Sequence, residues 1–332
     1  MNIIPRVFLA SLLGLVITNS VRGQEYATSD PDYIRYVEAG LEQLQSEDWE
    51  ACLESYSAAF SIKQTSFLST LRYATCAYYV QNEALYREQV DKAMEIDGGG
   101  SYTIFSSNPE FQSVQNTALA EYVTGQYWAS LEQAGYDIIL ARQLEEIYRE
   151  DQQYRMQLGG IEEEFGQNSP EVRAHWAKIR EHDLINTEKI TQLLDTLGYP
   201  GESVVGEGMA DVAFLVIQHA DLEVQLKYLD MITEAADAGE LEWSSVALLI
   251  DRTRMRQGQP QLYGSQIYSD QYSDGWFIAE IEDPFQVDER RAEVGLGPLA
   301  EYAARFDLQW DPQAHLDFHA ERKQRMAESE EE

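Results

Sequence analysis

Apolar residues recur every three or four positions from residue 32 to residue 97, which is the spacing of amphipathic helices. We therefore predict four helices in this segment, over residues 33–44, 49–62, 67–80 and 84–96. Asp48 and Asn82 stand where the second and fourth helices begin, and such side chains cap free backbone N–H groups. The two caps lie about 34 residues apart, a spacing that indicates a helical repeat.

Small residues stand where the paired helices of such a repeat approach each other, at Gly40, Cys52, Ala59, Ala77 and Ala93. With this period, residues 30–100 resemble two degenerate tetratricopeptide repeats. The resemblance implies a surface that contacts a peptide or protein partner. A capping or linker region is expected over residues 101–136.

A second pattern begins after residue 136. Long amphipathic stretches predict helices over residues 139–158, 169–197, 209–238 and 243–257. Alternating positions near residues 261–281, interrupted by Ser273-Asp274-Gly275, predict a β-hairpin. Two short helices, 288–294 and 299–306, complete a helical domain over 137–306, and residues 307–332 form a C-terminal helix and acidic tail. The expected fold class is mainly α, with tetratricopeptide-like helical hairpins followed by a helical domain that carries a small β-hairpin.

The first 23 residues have the order of a secretory signal peptide. Arg6 precedes an apolar run over residues 7–17, and small residues lead to a predicted cleavage between Gly23 and Gln24. An uncleaved anchor is the alternative, but the apolar run is short for a membrane span. We expect an exported protein, periplasmic or extracellular, with no stable membrane insertion after cleavage.

The charge of the chain is strongly negative, at −34. Cleavage would remove Arg6 and Arg22 and no acidic residue, so the mature chain would be more negative still. Such a charge disfavours binding to nucleic acid and to anionic membranes. It suits cationic partners or saline surroundings, and it is also what a well-solvated surface produces.

Cys52 and Cys76 are the two cysteines of the chain. An even count in an exported protein permits one disulfide, which would join two neighbouring helices. Two buried free thiols are the alternative.

Several familiar chemistries find no support in the sequence. Gly201 and Gly206 have the outer spacing of a phosphate loop, but Glu207 follows where a lysine is needed. His315 and His319 share a helix face, yet no third metal ligand accompanies them. We expect neither a metal nor a cofactor.

Polar residues within otherwise apolar elements mark the second half of the chain. His219 lies on an apolar helix stripe, and we predict that Asp251 orients it as a catalytic acid–base pair. Arginine side chains there would bind an anionic group. The predicted ligand-binding residues are Gln218, Gln225, Arg252, Gln261, Tyr263, Gln266, Arg290 and Arg291. The alternative is a structural network of buried polar groups.

Short motifs are spread over residues 144–302: Gly198-Tyr199-Pro200, Val205-Gly206, Gln218-His219, Gln225, Asp251-Arg252, Gln261-x-Tyr263-Gly264-Ser265-Gln266 and Arg290-Arg291-x-x-Val294-Gly295-Leu296. In their order and number they resemble the bacterial family of unknown function DUF6624. Many members of that family have Thr at the position of Ser265. The resemblance implies one coherent domain and supplies no reaction.

Three hypotheses for the function follow. The first is an exported binding or interaction protein, with a helical-repeat surface for a peptide or protein and a C-terminal site for a small molecule. The second is a hydrolase-like enzyme that uses His219 and Asp251. The third is a structural envelope protein without a ligand.

Overall fold

A computed structural model of the chain describes residues 6–7, 26–167, 169–270, 272–273 and 275–331. The predicted signal peptide and its cleavage site lie outside the described residues, except for Arg6 and Val7. Asp274, in the predicted hairpin turn, also lies outside them.

The fold is mainly α-helical with one small β-sheet, which confirms the predicted fold class. The helices are α1 (Pro31–Gln45), α2 (Trp49–Ile62), α3 (Phe67–Tyr79), α4 (Glu83–Ser107), α5 (Ala118–Ala134), α6 (Ile138–Phe165), α7 (Pro170–Leu197), α8 (Glu202–Val205), α9 (Glu207–His219), α10 (Leu222–Asp237), α11 (Trp243–Arg256), α12 (Val287–Glu293), α13 (Leu299–Ala304) and α14 (Pro312–Glu331). Short 3-10 helices span Pro109–Val114 and Pro284–Gln286.

The β-sheet contains the predicted hairpin. Strands β2 (Ile267–Ser269) and β3 (Phe277–Ile278) pair antiparallel, with Ile267 opposite Ile278. Strand β1 (Arg6–Val7) pairs with the other edge of β2. The sheet is therefore an accessory to the helices.

The predicted caps act as expected in the N-terminal helices. Asp48 accepts a hydrogen bond from the backbone N–H of Ala51, and Asn82 accepts one from Leu85. Helix α4 runs further than predicted because Asp97, whose backbone is not helical, caps a new turn by accepting from the Gly100 N–H at 2.8 Å. The segment predicted as a capping or linker region is itself largely helical.

The described chain divides into two compact units. The first ends at Ala141 and also includes Val204–Gly208; the second comprises the described residues of 142–203 and 209–331, together with Arg6 and Val7. The chain therefore returns to its first unit for five residues before it completes the second.

The first unit packs as helical hairpins around Tyr33, Val37 and Tyr56, all nearly or fully buried. Gly40 is required there, because a Cβ at this position would lie 2.8 Å from the ring of Tyr56. A disulfide joins Cys52 of α2 to Cys76 of α3, with their Cα atoms 6.3 Å apart. The structure thus decides between the two alternatives for the cysteines in favour of the bond.

The second unit has a helical part and a hairpin part. The hairpin shares a core with α12 and α13, formed by Ile267, Ile278, Ile281, Val287, Leu299 and Ala303. Helix α14 attaches to the hairpin through two histidines. His315 Nε2 accepts from the Ile281 N–H at 3.2 Å, and His319 Nε2 lies 3.0 Å from the Ile278 carbonyl oxygen, to which it donates. None of the helices described here has the length and apolar composition needed to cross a membrane.

Candidate functional site around His219

The strongest concentration of chemically useful groups surrounds His219, the last residue of α9. Its side chain is only 4% exposed, and its Nδ1 lies 3.2 Å from Oδ1 of Asp151 on α6. The predicted partner, Asp251, does not hold this imidazole. The His219–Asp251 pair is therefore wrong, and the orienting carboxylate is that of Asp151.

Besides His219, two residues of α6 hold the carboxylate of Asp151 in place. Gln152 Nε2 donates to its Oδ2 at 2.7 Å, and Arg155 Nε donates to the same oxygen at 3.2 Å, one helical turn further along α6. Arg155 also forms an ion pair with Asp183 of α7, so one guanidinium bridges two carboxylates. One ligand atom each from Asp151, Asp183 and His219 lies within 4.8 Å of the others.

The burial of this cluster separates the protonation states of its members. Burial alone raises the pKa of Asp151, but contacts with His219 and Arg155 outweigh it and lower that pKa to about 2. Burial raises the pKa of Asp183 to about 6, although Arg155 acts in the opposite direction. Burial also lowers the pKa of His219, which Asp151 offsets only in part. At neutral pH an ionised Asp151 therefore faces a neutral imidazole.

The hydrogen bond to Asp151 assigns the tautomer of His219. An ionised carboxylate only accepts, so the imidazole proton resides on Nδ1 and the lone pair on Nε2. Nε2 forms no hydrogen bond with any residue that the structure describes. Asp183 is the most exposed member of the cluster, with 18% of its side chain accessible, so the cluster opens to solvent on the α7 side.

Two carboxylates and an imidazole are also donors that divalent metal ions accept. In this structure the guanidinium of Arg155 already supplies the positive charge between the carboxylates. A divalent ion would have to displace that guanidinium. The arrangement therefore fits acid–base chemistry or hydrogen bonding to a ligand better than a metal centre.

Asp251 has a different task from the one predicted. Its carboxylate is fully buried and accepts from the backbone N–H groups of Leu262, Tyr263 and Ser265 at 2.6, 3.0 and 2.9 Å. Burial raises its pKa, and these three amides act in the opposite direction. Asp251 fixes the loop between α11 and the hairpin, so its predicted catalytic role lacks a geometric basis.

Most of the predicted ligand-binding residues around this loop also bind backbone. Gln261 Nε2 donates to the carbonyl of Ala279 at 2.7 Å, and Gln261 Oε1 accepts from the Gln266 N–H at 2.8 Å. Arg290 Nε donates to the Leu262 carbonyl, and Arg291 donates to the carbonyls of Tyr263 and Gly297. Tyr263 contributes only its main chain: its N–H donates to Asp251, and its carbonyl oxygen accepts from Arg291. These predicted residues therefore form a structural network of buried polar groups, which was the alternative to a ligand-binding site.

Gln218, Gln225 and Arg252 connect that network to the His219 cluster. The Gln218 carbonyl oxygen accepts from Gln225 Nε2 at 2.8 Å and from Arg252 Nη1 at 3.0 Å. Arg252 Nε in turn donates to Gln266 Oε1 at 3.2 Å. Of the predicted residues, these three therefore lie beside His219.

Asp151, Arg155 and Asp183 are not among the site residues predicted from the sequence. The four-residue spacing of Asp151 and Arg155 signals a pair on one helix. Asp183 joins them only through the alignment of α6 with α7, for which the sequence carries no local signal. The two histidines of α14, in turn, bind hairpin backbone, so their shared helix face serves packing.

Comparison with known proteins locates the family in the second half of the chain. The model of the family of unknown function DUF6624 matches residues 139–310, which include every member of the His219 cluster. No curated protein and no solved structure matches the chain significantly. The family match confirms the resemblance seen in the motifs, and its extent shows that this chain is a member of the family of unknown function DUF6624.

Proposed function

We propose that this chain is an exported binding protein whose C-terminal domain binds a small polar molecule beside His219. One observation carries the proposal: a nearly buried imidazole has its Nδ1 fixed by Asp151 and its Nε2 lone pair without a described partner. This nitrogen is not sealed from solvent, so a small molecule can reach its lone pair. A ligand that donates to Nε2 would satisfy it.

A ligand screen read by melting temperature tests this site. A ligand that binds only the folded chain stabilises it by about 2.7 kcal/mol at one hundred times its Kd. The matched variant is His219→Asn, which keeps a donor toward Asp151 and removes Nε2. We expect compounds that raise the melting temperature of the wild type and not that of His219→Asn. Equal shifts in both proteins, or no shift with any compound, would contradict the site.

Export is supported by the disulfide between Cys52 and Cys76, because such bonds persist in oxidising compartments. The order of residues in the predicted signal peptide supports it independently. Mass spectrometry of the protein recovered from cell fractions tests the proposal. We expect a chain that begins at Gln24 outside the cytoplasm, whereas an intact Met1 in the cytoplasm would contradict export.

The helical hairpins of the first unit are proposed as a surface for a peptide or protein partner. Their support is the repeat spacing together with the close packing of α1 on α2 at Gly40. A photoreactive residue at exposed Glu88 of α4 should crosslink the full chain to a partner. The same group at exposed Gln324 of α14 should not, and equal labelling from both positions would argue against a specific surface.

The second candidate function is acid–base catalysis, in a hydrolase-like reaction. It is favoured by the opposite pKa shifts of two neighbouring carboxyl groups, Asp151 near 2 and Asp183 near 6. His219 Nε2 would accept a proton from an attacking water while Asp183 donates one to the leaving group, and Asp151 would only orient the imidazole. A panel of ester, amide and phosphoester substrates tests this function. Turnover should disappear in both His219→Asn and Asp183→Asn, and turnover retained in either variant would refute these roles.

A further inference from the structure

Two buried side chains meet on the main chain immediately before His219. Gln225 and Arg252 both donate to the carbonyl oxygen of Gln218, at 2.8 and 3.0 Å. Gln225 is fully buried and Arg252 is 4% exposed. Because they share one acceptor atom, the amide of Gln225 and the guanidinium of Arg252 are immediate neighbours.

Arg252 carries a charge that none of the described carboxylates pairs with. Its Nε donates to the neutral amide of Gln266, and its Nη2 forms no hydrogen bond within the described part of the chain. Burial lowers its pKa to about 9, in agreement with the lack of a compensating anion. An unpaired buried charge is costly, so an anion supplied from outside would be bound favourably.

Other buried arginines of this domain differ from Arg252 in this respect. Arg155 binds two carboxylates. Arg291, like Arg252, donates through two of its nitrogens, but Asp288 and Asp251 act to raise its pKa, and its guanidinium lies over the ring of Tyr302, 5.3 Å from the centroid. Arg252 therefore has both an uncompensated charge and an unused donor.

Gln225 contributes the complementary feature. Its Nε2 is fixed on the Gln218 carbonyl, which places Oε1 at the other amide position, buried and without a hydrogen-bond donor. Oε1 of Gln218 is likewise buried without a donor. The guanidinium and the amide, each with an atom that lacks a partner, thus lie side by side on the carbonyl of the residue that precedes His219.

We propose that the ligand of this domain carries an oxyanion that binds Arg252 and, on an adjacent atom, a hydroxyl or ammonium group that donates to Gln225. The proposal rests on the binding function proposed above and names the ligand class for the same site. Guanidinium groups recognise carboxylate and phosphate through paired N–H donors. The donor beside the oxyanion is what the buried amide oxygen requires. A small 2-hydroxy or 2-amino acid has this arrangement of groups.

Three small probes separate the two parts of this recognition. Glycolate has the oxyanion and the hydroxyl, acetate has only the oxyanion, and glycolamide has the hydroxyl without the charge. We would titrate each into the full chain and follow arginine Nε–H signals by ¹H–¹⁵N NMR, with the Arg252 signal assigned by its loss in Arg252→Gln. Glycolate should shift this signal saturably, acetate should bind at least tenfold more weakly, and glycolamide should leave it unchanged.

Two variants provide the controls. Gln225→Leu should remove the preference for glycolate over acetate while both still bind. Arg254→Gln should bind glycolate as the wild type does, because Arg254 of α11 donates to the Pro260 carbonyl and pairs with Glu282 instead. If Arg252→Gln fails to fold, the order of affinities of the three probes for the wild-type chain still tests the proposed ligand class.

The possible failures are distinguishable. Equal affinity for glycolate and glycolamide, or an Arg252 signal that no anion moves, overturns the assignment of an oxyanion. A neutral compound that stabilises the wild type and Arg252→Gln equally, but not His219→Asn, overturns this ligand class and leaves the binding function standing. Absence of any response at both Arg252 and His219 overturns both proposals.

Discussion

At the scale of single residues, Asp151 determines the state of its surroundings. Its carboxylate fixes the imidazole of His219 and shares the guanidinium of Arg155 with Asp183. Its side chain is fully buried, so water cannot replace these partners. The candidate site therefore depends on a residue that need not touch a ligand.

Replacement of this carboxylate should be costly. We expect Asp151→Asn to lower the free energy of unfolding by about 3 to 5 kcal/mol, because it leaves Arg155 with half of its counter-charge. The matched control is Asp195→Asn, which weakens the exposed pair with Lys227 and should cost far less, because water screens that pair. Urea unfolding measures both values, and equal losses would show that Asp151 is not structurally central.

The chemistry of Asp183 leads to a second prediction at this scale. Its pKa of about 6 in the folded chain exceeds the ordinary value of 3.8. The folded chain therefore holds this proton more tightly, and the resulting stabilisation is present below pH 3.8 and is lost as the pH rises through about 6. Asp183→Asn should remove that contribution, so its stability relative to the wild type should rise from pH 4 to pH 7. A constant difference across this range would contradict the raised pKa.

At the scale of elements, α14 attaches to the hairpin through neutral histidines. His315 accepts a backbone N–H, and it cannot do so once protonated. Burial first, and then the neighbouring His319, lowers its pKa to about 3. The attachment of this helix is therefore coupled to pH.

The sign of this coupling follows from the two states. The unfolded imidazole takes up a proton near pH 6.5, whereas the folded one remains neutral until about pH 3. Stability contributed by His315 is thus complete above pH 6.5 and is lost as the pH falls toward 3. His315→Gln keeps an acceptor but does not titrate, so its urea midpoint should fall less between pH 7 and pH 4. His315→Phe should instead cost about 1 to 3 kcal/mol at pH 7, because the Ile281 N–H loses its acceptor.

The disulfide gives a prediction for the first unit. The bond closes a loop between Cys52 and Cys76, 24 positions apart, and constrains the unfolded chain. Replacement of both cysteines by serine should destabilise this unit by roughly 2 to 4 kcal/mol. Thermal unfolding followed by circular dichroism measures the loss, and an unchanged transition would show that the bond contributes nothing to stability.

Much of the element order could be predicted from sequence, because helix signals are local. Asp48 and Asn82 marked the correct starts through their capping side chains. Asp97 was missed as a cap because three glycines after it suggested an end. The site was harder to predict, since His219 lies 68 positions from Asp151, and Asp251 offered a second aspartate nearer to it in the sequence. Only the packing of α6 against α9 distinguishes the two carboxylates.

At the scale of the whole molecule, charge is the dominant property. The net charge is −34, so the carboxylates repel one another in the folded chain. Dissolved salt screens that repulsion. We expect the melting temperature to rise when sodium chloride is increased from about 0.01 to 0.15 M, over which the screening length falls from roughly 30 to 8 Å. Glucose at equal osmolality is the control, and an equal rise with glucose would exclude screening as the cause.

The five residues Val204–Gly208 limit how this chain could have evolved by recombination of its parts. They fall inside the stretch that defines the family, yet they belong to the compact unit of the N-terminal helices, where the Val204 carbonyl accepts from the Asp137 N–H. Dividing the chain at any single peptide bond would therefore separate one of the two compact units from one of its own segments. The halves are therefore not interchangeable modules, and recombination that exchanged the N-terminal helices alone would have to rebuild the place of this segment.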